Sequence, residues 1–155
     1  LKLLIKGGNV MASIKKILCA VDFSDMSKKV ADYAATLARA LEGEVVVLYV
    51  APSLSQYVGF HVPPASIETF VGEIVSGAEK TMEVFIQENF ESVSAQGIVK
   101  TGYAAEEILE VAEKEEVDLI VMGTHGRKGI DRILFGSVAE KVVKGAKMPV
   151  LTVRP

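Results

Sequence analysis

Glycines at 123, 126, 129 and 136, with Ser137 directly after the last, crowd the segment MGTHGRKGIDRILFGS that runs from Met122 to Ser137. A glycine has no Cβ to shield its N–H, and several such groups in succession form a concave nest for an anion. A helix opening at Ser137 adds a hydroxyl and the positive end of the helix dipole. Arg127 and Lys128 bring charge to the same place. The chemistry these residue types suit is the holding of a phosphate. Spacing alone leaves a second reading open, a connecting loop without a ligand, because glycine-rich turns before helices are common.

Asp22 ends an apolar run and either caps a turn or meets a ligand. His125 is open to three readings, a solvated loop residue, a phosphate contact or a proton-transfer group; contact is the one adopted. Arg132 and Lys128 read as surface charges, and Arg127 alone is assigned to phosphate. His61 has no clustered carboxylate beside it, so no protein-only metal site is expected. The segment is not a Walker A loop, since no GxxxxGK followed by Ser or Thr occurs, and the absence of GxGxxG removes the dinucleotide fingerprint.

These residues need elements to hold them. Ile17 to Val21 is a continuous apolar run, as in a strand covered on both faces. Ser24 then serves as N-cap of a helix whose apolar positions Val30, Ala34, Leu37, Ala38 and Leu41 recur until Gly43 stops it. Val45 to Val50 reads as a central strand, and residues 52–65 as a loop. A long helix follows, carrying Ile67, Phe70, Val71, Ile74, Ala78, Met82, Phe85 and Ile86, weakened at Gly72 and Gly77. Val93 to Thr101 is expected as an edge strand, followed by a helix through Ala105, Ile108, Leu109 and Ala112. Leu119 to Met122, a helix through Val138, Ala139, Val142, Val143 and Ala146, and a strand over Pro149 to Val153 complete the chain.

Five strands alternating with helices specify an α/β fold, a single-domain open five-stranded parallel sheet with helices on both faces. In the order 3-2-1-4-5, strands one and four are neighbours, and Asp22 and the glycine segment face one crevice at their carboxyl ends.

The 155 residues, 50% hydrophobic and 24% charged, suit one domain with a real core. Seventeen Lys and Arg against 20 Asp and Glu give a net charge of -3, which argues against a nucleic-acid partner. The single Cys19 lies in an apolar run and reads as a small buried hydrophobe, which fits a reducing, cytoplasmic setting. No apolar stretch approaches the roughly 20 residues that span a bilayer, so no membrane partner is expected. Residues 1–10, before Met11, are read as an upstream extension, with the domain over 11–155.

The spaced motif Gly123-x2-Gly126-x9-Gly136-Ser137, after an Ile-Val-Met-Gly strand end and before a terminal PVLTV strand, resembles the ATP-binding motif of the universal stress protein family. The opening Ile17-Leu18-Cys19-Ala20-Val21-Asp22-Phe23-Ser24 is similar to that family's first strand and its Asp. The resemblance spans Met11 to Pro155. It implies an adenine nucleotide alpha hydrolase-like fold and bound ATP, with Mg²⁺. Ala20, Val21 and Asp22 would line the adenosine side, Val50 would meet adenine through its backbone, and Met122 and Gly123 would floor the ribose. His125, Gly126, Arg127, Gly136, Ser137 and Val138 would surround the triphosphate. Ala139 stands where some nucleotide-binding relatives carry a hydroxyl.

A regulatory ATP-binding module is therefore expected, with an unidentified protein partner reading its state. The alternative is a slow ATP hydrolase or autophosphorylating protein in the same pocket, using Asp22 or His125, with Ser137 or Thr124 as acceptor. A homodimer through the apolar edge strand Val150–Val153 is the third expectation, which the resemblance also implies.

Overall fold

The computed structural model describes residues 2–6, 9–53, 64–125 and 136–155. Lys2–Lys6 (β1) and Asn9–Ser13 (β2) pair antiparallel in a two-stranded sheet of their own, with Lys2 opposite Ser13 and Lys6 opposite Asn9. The stretch set aside as an extension thus carries β1, and β2 runs across the boundary expected at Met11.

The remaining elements alternate. Lys16–Val21 (β3) leads to Asp25–Leu41 (α1), Glu44–Ala51 (β4), Pro64–Asn89 (α2), Ala95–Thr101 (β5), Ala104–Lys114 (α3), Leu119–Gly123 (β6), Ser137–Gly145 (α4) and Val150–Val153 (β7). The sheet order is β5-β4-β3-β6-β7, and every neighbouring pair is parallel. The labels differ from the expected 3-2-1-4-5 because the hairpin takes the first two numbers; counted within the parallel sheet alone, the order is the same.

Side chains alternate across this sheet with the strand period of two. Ile17, Cys19, Val45, Val47 and Val121 point into a layer shared with Val30, Ala31, Ala34 and Ala38 of α1 and Met82 and Phe85 of α2. Leu18, Val46, Leu48, Ile120 and Met122 point into the opposite layer, with Ile108 and Ala112 of α3 and Val142 of α4. Burial on both faces explains the unbroken apolar runs of β3, β4 and β6. Each large side chain so buried contributes about 1.5–3 kcal/mol.

Two helix ends depart from expectation. Ser24 occupies the N-cap of α1 with extended dihedrals, but its hydroxyl makes no capping bond to the helix. At the other end the left-handed residue is Glu42, at φ 51°, and not Gly43. Gly43 follows and donates its N–H to Ala38 O at 2.8 Å. Residues 52–65, expected as a loop, fall largely outside the described residues, and α2 begins at Pro64.

Candidate functional site

In a parallel sheet wound in two directions, the strand order reverses once, and the loops there diverge to leave a crevice at the carboxyl ends. Here the reversal falls between β3 and β6, which pair from Ile17 opposite Leu119 to Ala20 opposite Met122. The chain leaves β3 through α1 toward β4 on one side and leaves β6 toward β7 on the other. Ala20, Val21, Asp22, Met122 and Gly123 therefore lie at or just past the two strand ends that flank the crevice.

Layer membership divides these residues. Ala20, Val50 and Val138 are partly buried against the core beneath α3 and α4, and Met122 lies within it. Val21 points the other way, buried under α1, so only its backbone can serve the crevice. Ala139 is 2% exposed within the α3 and α4 layer. The position lacking a hydroxyl is, in this chain, a packing position.

Asp22 is held by the turn that follows it. Its Oδ1 accepts hydrogen bonds from Ser24 N at 3.0 Å, Ser24 Oγ at 2.5 Å and Ser27 Oγ at 3.1 Å. The hydroxyl of Ser24 thus turns back to the carboxylate, which is why it does not cap α1. Phe23, between the two, takes φ 57°, a region that costs a bulky residue energy and so is kept only where its surroundings demand it. Its ring stacks on Tyr49 of β4 with centroids 4.6 Å apart and meets Phe85 of α2 edge-on at 5.7 Å. Those contacts anchor the turn to two other elements.

Thr124 ties the second strand end together. It is 1% exposed, and its N–H donates to Val153 O at 2.9 Å while its carbonyl accepts Gly136 N at 2.7 Å. Its hydroxyl lies 2.9 Å from His125 Nδ1. One residue thus joins the ends of β6 and β7 to the start of α4 and orients the imidazole. Gly136 suits that closure: a Cβ there would stand 3.0 Å from Thr124 O, tighter than ordinary contact. A Cβ on Gly123 would stand 3.2 Å from His125 O, again tighter than ordinary contact.

Gly136 is the N-cap of α4, and Ser137 is its first residue and exposed. The N–H groups that a helix leaves unpaired in its first turn therefore open beside the end of β6, where they suit an anion. Gly126, Arg127 and the glycine at 129 lie outside the described residues, as does His61.

Sequence reasoning did not select Ser27 or give Thr124 its structural part. Ser27 carried a signal in Asp22-x-Ser24-x2-Ser27, hydroxyls two and five residues after the aspartate. Thr124 carried none, since its role depends on β7, 29 residues away.

A second hollow, of about 890 Å³, opens at the opposite, amino-terminal end of the strands and is lined by Lys15, Lys16, Glu44, Glu115, Asp118 and Lys147 among others. Asp118 there is 3% exposed, and its Oδ2 accepts the N–H groups of Lys15 and Lys16 at 2.8 and 3.0 Å. Lys16 Nζ lies 3.4 Å from Glu115 and 3.6 Å from Glu44. Those bonds fasten the start of β3 to its neighbours and belong to the fold. Among the described residues no group of three His, Cys, Asp or Glu is placed to hold a metal ion, and no helix is long and apolar enough to cross a membrane.

Comparison with known proteins matches this architecture. The family model of the universal stress protein family covers residues 13–154. Universal stress protein MJ0531 of Methanocaldococcus jannaschii is 39% identical over 142 residues, which cover 90% of this chain and 82% of that protein. The solved structure of hypothetical protein MJ0577 superposes with a TM-score of 0.79 at 30% identity, over 92% of this chain and 96% of the other. The structure of a universal stress protein from Archaeoglobus fulgidus in complex with dAMP shares the fold, with a TM-score of 0.58 at 22% identity over 92% of this chain and 98% of that one. With a model matched over nearly its whole length and a relative 39% identical, the chain belongs to the universal stress protein family.

Proposed function

We propose that this protein is an ATP-binding regulatory module whose nucleotide lies across the carboxyl ends of β3 and β6, with its phosphates on the glycine segment. The observation that carries the reading is the closure of Gly136 N on Thr124 O at 2.7 Å, which brings the amino end of α4 to the strand-order reversal. A Cβ at Gly136 would crowd that closure, so the residues present fit a phosphate cradle. The dAMP complex of the Archaeoglobus fulgidus relative supports an adenine nucleotide as the ligand class.

Each residue then has a part. Asp22, Ala20 and the backbone of Val21 border the adenosine, and Val50 offers its backbone to adenine. Met122 and Gly123 lie under the ribose. Ser137 and Val138 present the first N–H groups of α4 to the phosphates, Gly136 holds that end of the helix against Thr124 and leaves room for them, Ser137 adds its hydroxyl, and His125 borders them from the end of β6. Gly126 and Arg127 complete the set by the same reasoning. Bound ATP with Mg²⁺ would supply a polyanion to be met by the N–H groups at the start of α4, the Ser137 hydroxyl and Arg127. Asp22 Oδ1 is held by Ser24 and Ser27, and His125 Nδ1 lies against the Thr124 hydroxyl, so both side chains are fixed in orientation, which suits binding.

Calorimetric titration of nucleotide-stripped protein with Mg·ATP, with Mg·GTP as control, tests the reading. Micromolar binding of Mg·ATP is expected, and Gly136→Val should weaken it at least about tenfold by displacing α4 from Thr124. A folded wild type that gives no heat, or a variant that binds as well as wild type, would return the segment to a connecting loop.

We further propose a homodimer through β7. This strand is four residues long, sits at the sheet edge and pairs only with β6 among the described residues, which leaves one row of backbone groups for a second copy. A cytoplasmic location is proposed as well, supported by a single thiol, Cys19, that is fully buried.

A further inference from the structure

We infer that Ser27 is the positioning residue of the nucleotide site, acting on ligand through Asp22, an inference that rests on the ATP-binding reading above. Ser27 lies in the first turn of α1 and is 2% exposed, among the few polar side chains buried in the described residues. Burial of a hydroxyl costs free energy unless both its donor and acceptor capacities are met. Both are met by one residue. The N–H of Asp22 donates to Ser27 Oγ at 3.2 Å, and Ser27 Oγ donates to Asp22 Oδ1 at 3.1 Å.

These directions are fixed by the atoms. A backbone N–H only donates, so the Oγ lone pair receives it. A carboxylate only accepts, so the hydroxyl proton goes to Oδ1. The hydroxyl therefore bridges the main-chain N–H and the side chain of residue 22 in a single arrangement, holding the carboxylate rotation against the backbone just before the left-handed turn at Phe23.

Ser24 shares the task but differs in kind. It is half-buried and binds Asp22 from within the same turn, through both N–H and Oγ. Ser27 binds from the helix, and its own N–H is engaged with Ser24 O at 2.9 Å. It thereby makes α1, a 17-residue element packed on β3 and β6, the rigid reference for the carboxylate. Held so, Asp22 meets the adenosine side of a nucleotide without first losing rotamer freedom, and that saving appears as affinity.

A double-mutant cycle on the full chain separates positioning from general support of the fold. Mg·ATP affinity is measured by calorimetry for wild type, Ser27→Ala, Asp22→Ala and the double variant, with thermal unfolding of each alongside. Ser27→Ala is expected to bind about tenfold more weakly than wild type, the scale of a lost hydrogen bond to a charged group. In the Asp22→Ala background the same change is expected to cost less than about twofold, because the residue through which it acts is gone. Ser27→Thr keeps the hydroxyl and should bind within about threefold of wild type. Ser27→Cys preserves volume with a weak donor, so it stays folded and should lose affinity as Ala does.

Equal losses in both Asp22 backgrounds, or wild-type affinity in both Ala and Cys variants, would overturn the inference while leaving ATP binding in place. Absence of Mg·ATP binding by folded wild type would instead overturn the reading on which it rests.

Discussion

At the scale of single residues, the carboxyl end of β3 is organised around hydrogen-bond accounting. Asp22 is the acceptor on which two hydroxyls and an N–H converge, and the cost of a left-handed Phe23 is offset by stacking on Tyr49 and Phe85. Cys19, one strand position from Ala20, is the contrasting case, a polarisable group with no polar task. Burial pushes its thiol from 9.0 up to about 12. The folded state thus keeps a proton that the unfolded state releases above pH 9, and stability from this group is intact below pH 9 and falls between 9 and 12. The slope is about 1.4 kcal/mol per pH unit. Denaturant unfolding of wild type and Cys19→Ala at pH 8 and pH 10.5 should show wild type losing more stability than the variant over that interval. Parallel losses would mean that the thiol ionises freely in the folded protein. Of these residues, Cys19 is legible in the sequence as a buried member of an apolar run, whereas Asp22 is legible only as a turn or a ligand contact, and the structure shows the turn. Thr124 is not legible, since its buried hydroxyl and amide answer to Val153 and Gly136, contacts that no local pattern encodes.

At the scale of elements, hydrophobic pattern and punctuation carried different amounts of information. The strands over Lys16–Val21, Glu44–Ala51 and Leu119–Gly123 appear where unbroken apolar runs placed them, because burial on both faces leaves no alternation to misread. Helix ends were less legible. Gly43 reads as the stop of α1, yet the left-handed position falls one residue earlier, on Glu42, and Gly43 instead lies against Lys15, where a Cβ would stand 2.7 Å from its carbonyl oxygen. A requirement for closeness placed the glycine, not a requirement for positive φ. Glu42→Gly should therefore raise stability by about 0.5–1 kcal/mol, the steric cost of the left-handed conformation less the entropy that glycine adds to the unfolded chain. Thermal unfolding measures it, and a lower melting temperature would mean that the Glu42 side chain contributes more than its backbone costs. Helix α2 shows the limit of periodicity in another way. Its apolar positions from Ile67 to Ile74 are half-buried or exposed, whereas Ala78, Met82 and Phe85 are buried, so a continuous pattern covers two different environments.

At the scale of the whole molecule, the two ends of the parallel sheet divide the labour. Asp118 and the lysines at the amino-terminal end fasten β3, β4 and β6 in register, while the carboxyl-terminal end, where the order reverses, carries the turn of Asp22 and the start of α4. The two sheet edges are also unequal. β5 carries Lys100 and Gln96, residues that discourage edge pairing, whereas β7 is Val-Leu-Thr-Val. Val153 is buried and Leu151 packs on the core, so a charge at either would disturb the monomer as well as an interface. Thr152→Asp places like charges near a two-fold axis with least injury to the core, and light scattering at micromolar concentration should move from dimer to monomer. Wild-type monomers under the same conditions would dismiss the β7 dimer.

The most direct test of the central claim asks which end of the sheet the nucleotide touches. Amide hydrogen exchange of the intact protein, with and without saturating Mg·ATP, reads both ends in one experiment. Slowed exchange is expected over Ala20 to Ser24, Met122 to His125 and Gly136 to Ala139, with no change around Lys15, Lys16 and Glu115 to Asp118. Protection confined to the amino-terminal end, or none at either end, would contradict the claim.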